Sequence, residues 1–297
     1  MLPSHNRYPY SAILDRPDYS WPGGKRLAFY IALNVEHFAF GEPPGGDFTS
    51  VSLPPYHRSY AWRDYGNRVG IWRLLELFED LALPAALLVN SALYDHCPRV
   101  LEPFRARGDE IVGHGRTNSQ RQGDLPEAEE RALIAEATEA IRVHEGKAPV
   151  GWLGPWISQS GTTPDLLKEA GYRYMLDWHF DDQPIWFATR AGPILAVPYP
   201  TMEVNDSTAL IYRRASDADF IRMLLDNFDE MLEQSVKQPL VCMVSLHTFI
   251  VGQPFRLREL RRALKHVAAH AGDVWLTHPG AIATYVASLP PGTVPGG

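Results

Sequence analysis

The sequence predicts an α/β fold, a (β/α) barrel of seven or eight units in a chain of 297 residues. Three observations carry that reading. Eight short apolar runs recur, most of them nearly continuous in hydrophobicity, as strands buried on both faces of a parallel sheet are. Helical patterns lie between many of the runs, so strand and helix alternate. No Gly-x-Gly-x-x-Gly or phosphate-loop pattern follows the first run, which disfavours a nucleotide-binding sheet.

The strand runs are LAFYIALNV (27–35), PAALLVN (84–90), EIVG (110–113), VGWLG (150–154), YRYMLDW (172–178), PILAVPY (193–199), LVCMVSLH (240–247) and DVWLTH (273–278). Between them, residues 67–82 place Val69, Ile71, Trp72, Leu75, Phe78 and Leu81 mostly on one side of a helix. Residues 127–145 carry Leu133, Ile134, Ala137 and Ile141 at helical spacing. A third helix opens at Thr163, read as its cap, with Pro164 in the first turn and Gly171 at the stop. A fourth opens on Ser216 with Asp219 three places on, a start resembling a capping box. The basic helix over 256–270 reads as a solvated face. One long irregular segment, 39–66, interrupts the alternation, and loops of that length are commonly functional. The expected organisation is a single barrel domain over 1–297, with a surface arm over 1–25, an active-site loop over 39–66 and a flexible tail over 288–297.

Composition narrows the function classes. Hydrophobic residues make up 45% and charged residues 21% of the chain, ordinary for a globular protein, and the net charge of −7 gives no basic footprint for nucleic acid. No apolar run is long enough to span a membrane, and the N-terminus lacks the charged-then-apolar pattern of a secretory signal. Two cysteines, Cys97 and Cys242, are too few for a disulfide framework. A cytoplasmic location is the resulting expectation.

In a parallel barrel, active sites gather at the C-terminal ends of the strands. Asn34, Glu36 and His37 follow the first run, and His114, Arg116 and Asn118 the third. Pro155 and Trp156 follow the fourth, and Asp177, Trp178 and His179 the fifth, with Asp181 and Asp182 in the loop. Glu203 and Asp206 follow the sixth, His247 the seventh and His278 the eighth. Singly, each has a plain structural role open to it: Asp181 and Asp182 as turn caps, Glu203 and Asp206 as partners of Arg213 or Arg214, His278 as a helix start. The convergence of Glu36, His37, His114 and His247 at corresponding ends of separate strands favours a site.

The layout resembles the polysaccharide deacetylases of the carbohydrate esterase family 4 type, from about residue 27 to about residue 285. The resemblance implies a distorted form of the barrel. That family's first motif is a strand ending in two acidic residues, a base and a metal ligand. Here LNVEHF puts Glu36 at the base and His37 at the ligand position. The second motif, His-x-x-x-His, is represented by HGRTN, with His114 kept and Asn118 in place of the second histidine. LGPW keeps Pro155 and Trp156 of an Arg-Pro-Pro-aromatic wall without its arginine, and SLH supplies His247 as the acid. These departures resemble the atypical branch that includes metal-independent allantoinases, as do the N-terminal arm and the segment HTFIVGQPFR.

The implied chemistry is addition of water to an amide carbonyl and cleavage of a C–N bond, in a small amide or cyclic amide. It requires a base, an oxyanion stabiliser and an acid for the leaving nitrogen. Glu36 is cast as base and His247 as acid, with His114 and His37 holding the carbonyl oxygen or the water. Trp156 and Trp178 form an apolar wall, while Asp177, Arg116 and Asn118 orient groups or grip substrate. A divalent metal such as zinc, with His37 and His114 as candidate ligands, stays open beside a metal-free site. The metal-free site is slightly favoured because a neutral amide such as that of Asn118 is a weak donor for zinc. Two other functions stay open: N-deacetylation of an acetylated amino-sugar polymer, and a catalytically inactive ligand-binding barrel. The partner expected is a small-molecule amide, not nucleic acid or a membrane, and the resemblance allows a homo-oligomer.

Overall fold

The computed structural model describes residues 5–42 and 56–297. Among them nine strands form one sheet: β1 (Leu27–Val35), β2 (Ala85–Val89), β3 (Glu110–Gly113), β4 (Gly151–Trp152), β5 (Tyr174–Met175), β6 (Ile185–Phe187), β7 (Ile194–Ala196), β8 (Leu240–His247) and β9 (Val274–Thr277). Each of the eight apolar runs holds a strand. β6 is additional; it pairs antiparallel with β7, while every other ladder is parallel.

β1 is the axis of the sheet, and all nine of its residues are buried. β8 pairs with it from Leu27 to Asn34 along one edge. The opposite edge is shared: β9 covers Leu27 to Tyr30, then β2 covers Ile31 to Val35. From β2 the order continues through β3, β4, β5 and β7 to β6. The sheet curls into a barrel with a seam on the far side of β8. There, irregular backbone replaces a ladder: Ser245 donates its N–H to the Val204 carbonyl at 3.0 Å, and Val241 donates to that of Asp182 at 2.9 Å.

The period-two alternation of a strand sorts side chains between two cores. Phe29, Ile31, Leu33 and Val35 of β1 face the helices, with Leu87 and Val89 of β2 and Val244 and Leu246 of β8. Ala28, Tyr30 and Ala32 face the barrel interior, with Ala86, Leu88, Val112, Val241 and Met243. The interior series therefore continues upward through Asn34 on β1 and His247 on β8, and through Glu36, Asn90 and His114 just past the ends of β1, β2 and β3. One strand period sets the top layer of the barrel.

Helices cover the outer face. The expected helix over 67–82 is longer than its sequence stripe: His57–Tyr65 and Ile71–Asp80 join through a π-helical turn at Gly66–Gly70. The end of the segment read as an irregular loop over 39–66 is thus helical. The part of that loop over 43–55 lies outside the described residues. The helices Glu127–Glu145, Thr163–Glu169, Asp217–Gln234 and Pro254–Ala269 fall where periodicity put them. Ser216 caps its helix, its Oγ accepting from Asp219 N–H at 3.1 Å. Thr163 lies one residue inside its helix, so Thr162 holds the cap position. No described helix is long and apolar enough to cross a membrane.

The N-terminal arm is fastened by two bidentate ion pairs: Arg7 to Asp165, with both contacts at 2.7 Å, and Arg16 to Asp181, at 2.7 and 2.6 Å. Asp181 also accepts from Gln183 N–H at 3.0 Å, the turn cap expected of it. The segment 288–297, expected to fray, is packed against β6. Val294 is buried, and the Pro295 carbonyl accepts from Trp186 N–H at 3.0 Å.

The crossing that matters most for the site is between the Gly66–Gly70 turn and the helix Thr248–Val251, which directly follows β8. Gly70 lies against the Thr248 carbonyl and the α-carbon of Gly252, so a methyl group there would overlap the Thr248 oxygen. Backbone on both sides leaves no flexible group to yield. Gly70→Ala is therefore expected to lose about 1–3 kcal/mol of stability, seen as a lower denaturant midpoint. An unchanged midpoint would show that the crossing is looser than its geometry.

Candidate active site

A pocket opens at the C-terminal end of the barrel. Polar side chains line its floor: Asn34, Glu36, His114, Asn118 and His247. Phe38, Trp62, Trp156, Tyr199 and Phe249 form much of its wall. Its cavity is small, ≈ 70 Å³. The alternation described above brings Glu36, His114 and His247 together from β1, β3 and β8. His247 Nε2 lies 3.5 Å from Glu36 Oε1, and His114 Nε2 lies 3.7 Å from the same oxygen.

Hydrogen-bond partners fix the proton positions. His114 Nδ1 is 2.7 Å from the Leu153 carbonyl. A carbonyl only accepts, so Nδ1 carries a proton, and in its neutral form the ring presents a lone pair at Nε2. Among the described residues, that Nε2 is buried without a hydrogen-bond partner. His247 Nδ1 is 2.6 Å from Asp206 Oδ1, and the His247 N–H donates to Asp206 Oδ2 at 2.7 Å. Asp206 is fully buried and holds both the ring and the backbone of His247.

The electrostatics separate an acid from a base. Burial alone would raise the Glu36 carboxyl, but His247, then His114 and Arg63, outweigh it, so Glu36 lies below its ordinary 4.5. Burial alone would lower the His247 imidazole, but Asp206 and then Glu36 outweigh it, so His247 lies above 6.5. Burial pushes Asp206 upward while the bonds from His247 pull it down, and its net direction is up. These shifts favour the ionised form of Glu36 and the protonated form of His247, and the two titrate as a pair.

Asn118 also faces Glu36, donating Nδ2–H to Oε1 at 2.5 Å. Trp156 is tied to the same loop, its Nε1–H donating to the Asn118 carbonyl at 2.8 Å. Trp156 and Ile157 both have left-handed backbones, φ 63 and 53. Strain of that kind in side-chain-bearing residues persists only where the surroundings enforce it.

Four residues expected at the site do not line the pocket. His37 falls on the outward parity of β1; its ring stacks on His96 with centroids 4.1 Å apart. Burial, then the neighbouring His96, lowers it to about 4. Arg116 is exposed, 3.5 Å from Glu136. Asp177 lies behind the wall, where Oδ1 accepts from Gly154 N–H at 2.7 Å. Burial raises its carboxyl to about 7 against that bond. Asp177 thus anchors the turn carrying Trp156. Trp178 packs away from the pocket, its ring 4.9 Å from that of Phe187 and 6.2 Å from that of Tyr8.

Two residues were not anticipated in their roles. Asp206 was read as a partner for arginine, yet it grips His247; of that pair only Glu203 meets Arg213. It lies in the seam, outside any strand, where periodicity gives no signal. Arg63 comes from the helix His57–Tyr65, whose polar sequence hides it. It is buried and lines the pocket with its guanidinium 4.4 Å from the centre of the Phe38 ring.

The expected metal ligands do not form a zinc set. His37 points elsewhere. Asn118 turns a nitrogen without a free lone pair toward Glu36, and its oxygen is taken by Asn90 Nδ2 at 3.2 Å. Among the described residues no group of three His, Cys, Asp or Glu side chains is arranged to hold a metal ion.

Comparison with known proteins gives the family. Residues 60–175 match the family model described as polysaccharide deacetylase. A peptidoglycan deacetylase of Helicobacter pylori (strain ATCC 700392 / 26695) is 30% identical over 245 residues, covering 72% of this chain and 82% of that protein. The crystal structure of PuuE allantoinase superposes with a TM-score of 0.82 at 27% identity, over 95% of this chain and 99% of that one. A probable polysaccharide deacetylase from Pseudomonas aeruginosa PAO1 gives 0.79 at 26% identity, over 93% and 97%. With its barrel and with Glu36 set opposite His247, the chain belongs to the polysaccharide deacetylase superfamily and is an amide (C–N bond) hydrolase.

Proposed function

We propose that this hydrolase opens a small amide or cyclic amide by direct attack of water, with Glu36 as base and His247 as acid. The observation that carries the reading is the placement of one Glu36 oxygen within 3.7 Å of two imidazoles, each held at Nδ1, one by the Leu153 carbonyl and the other by Asp206. A water beside Glu36 donates one hydrogen to the carboxylate and a second to the lone pair on His114 Nε2. Its oxygen then adds to the amide carbon as Glu36 takes the proton. Negative charge develops on the carbonyl oxygen, facing the His247 imidazolium and the Arg63 guanidinium. His247 Nε2–H then protonates the departing nitrogen as the C–N bond breaks, leaving a carboxylic acid and an amine. Asp206 acts through His247, as a positioning residue that sets its tautomer and its affinity for the proton.

The small cavity and its aromatic wall favour a compact substrate, and so does the likeness to PuuE allantoinase over nearly the whole chain. A second reading, N-deacetylation of an amino sugar, is favoured by the 30% identity to the peptidoglycan deacetylase of H. pylori. A panel of cyclic ureides and imides run beside N-acetylglucosamine oligomers separates them, with ring opening or ammonia release read against acetate release. Acetate from the oligomers with no ring opening would replace the first reading by the second.

Glu36→Gln and His247→Ala are each expected to lower kcat about 10²–10⁴-fold, the span of general acid–base catalysis. Turnover left intact by both would remove these roles. The pH profile of kcat/KM should be bell-shaped. Activity falls in acid as Glu36 gains a proton, below its ordinary 4.5, and in base as His247 loses one, above 6.5. Asp206→Asn removes the strongest support of the imidazolium, so the alkaline limb should move to lower pH. An unmoved limb would show that Asp206 does not tune His247. Because the donor set does not suit zinc, chelation should leave kcat/KM unchanged. A stoichiometric metal whose removal abolishes turnover would overturn that expectation.

A further inference from the structure

We propose that Asn90, at the end of β2, is a positioning residue that decides which end of the Asn118 carboxamide faces Glu36. A carboxamide has a donor end and an acceptor end of nearly equal size, and only its partners choose between them. The chain of partners here begins at a group whose polarity is fixed. The backbone N–H of His37 can only donate, and it donates to Asn90 Oδ1 at 2.9 Å. The other end of Asn90 is therefore its NH₂. That group donates to two acceptors, the His114 carbonyl and Asn118 Oδ1, the latter at 3.2 Å. With its oxygen engaged, Asn118 turns its own NH₂ to Glu36 Oε1 at 2.5 Å.

The relay runs from the backbone N–H of His37, just beyond β1, through Asn90 after β2, to Asn118 in the loop after β3, and back to Glu36, the residue that precedes His37. Both amides are inaccessible, Asn90 at 0% and Asn118 at 2% exposure, so each link of the relay is made in a buried polar network. A reversed Asn118 would aim its carbonyl oxygen at a carboxylate oxygen, acceptor against acceptor, and the ionised form of Glu36 would lose its closest donor. The charged and titratable groups that face Glu36 are His247, His114 and Arg63. Asn90 touches one of them, His114, and only at its backbone carbonyl. The relay also explains why an amide stands four residues after His114: that position supplies a hydrogen-bond donor to the carboxylate.

The test substitutes Asn90 in two ways and reads Glu36 directly. Asn90→Ala removes both ends of the amide without adding charge; Asn90→Asp keeps the shape and the acceptor but removes the donor. The Glu36 carboxyl is followed by ¹³C NMR during a pH titration, its signal assigned by its loss in Glu36→Gln. Both variants are expected to raise the Glu36 midpoint by about one pH unit or more, because a hydrogen bond to the charged form is lost. In an Asn118→Ala background neither should add a further shift. An unchanged midpoint in a folded Asn90 variant overturns the proposal. So does a shift from Asn90→Asp that persists undiminished beside Asn118→Ala, since it would come from the charge of Asp alone. Should neither variant fold, the unaltered chain decides: the Asn118 NH₂ proton resonances must follow the Glu36 titration, and their indifference to it overturns the relay.

The kinetic readout rests on Glu36 as base. There the acid limb of kcat/KM should rise with the NMR midpoint, with activity recovering at higher pH and KM little changed. A midpoint that moves without the limb would keep the relay and discard Glu36 as the base, so the two failures are distinguishable.

Discussion

Burying a carboxylate is expensive unless donors and positive charge surround it. Glu36 is only 6% exposed at the top of a barrel whose lower layers are apolar. Much of the upper layer answers that demand. Asn118 supplies a neutral donor, His247 supplies charge, and Arg63 adds charge from the covering helix. Asn67 steadies the same strand end, donating Nδ2–H to the Glu36 carbonyl at 2.8 Å. Asp206, buried behind His247, raises its imidazole most, and Glu36 adds to the effect. The line from Asp206 through His247 to Glu36 is therefore one electrostatic unit, and its members cannot be valued separately.

This unit rests on backbone geometry more than on loops. Glu36, Asn90 and His114 occupy the next interior positions above the β1, β2 and β3 ladders, and His247 closes the β1–β8 ladder opposite Asn34. The wall is built differently. Trp156 reaches the pocket from a turn with two consecutive left-handed residues, braced from behind by Asp177 at the Gly154 N–H and from the front by the bond to the Asn118 carbonyl. Trp62 and Arg63 reach it from a helix that can approach only because Gly66, Gly70 and Gly252 lack side chains. The floor is set by strand pairing, and the walls by glycine contacts and strain.

How much of this was legible follows from the same physics. Strands buried on both faces leave continuous apolar runs, so all eight parallel strands could be read. β6 could not, because three residues of an antiparallel edge carry too short a pattern. The helix His57–Tyr65 stayed hidden because its polar sequence has no apolar stripe. Glu36, His114 and His247 were found through strand ends. His37 was misplaced because adjacency was followed where parity decides: a residue next to Glu36 in sequence points to the opposite face. Applied from the start, parity would also have drawn Asn90 out of PAALLVN. Asp206 lies in irregular chain, and no periodic rule reaches it.

The barrel's seam has a consequence for how this centre could be disturbed. Asp206 follows directly on Val204 and Asn205, which meet β8 through one backbone bond and an isolated bridge rather than a ladder. Glu36 stands on the most completely paired strand in the molecule. The proton on His247 is thus held between a rigid support and a weakly stitched one. Parting those few stitches would withdraw the counter-charge from the imidazole without moving the carboxylate it faces.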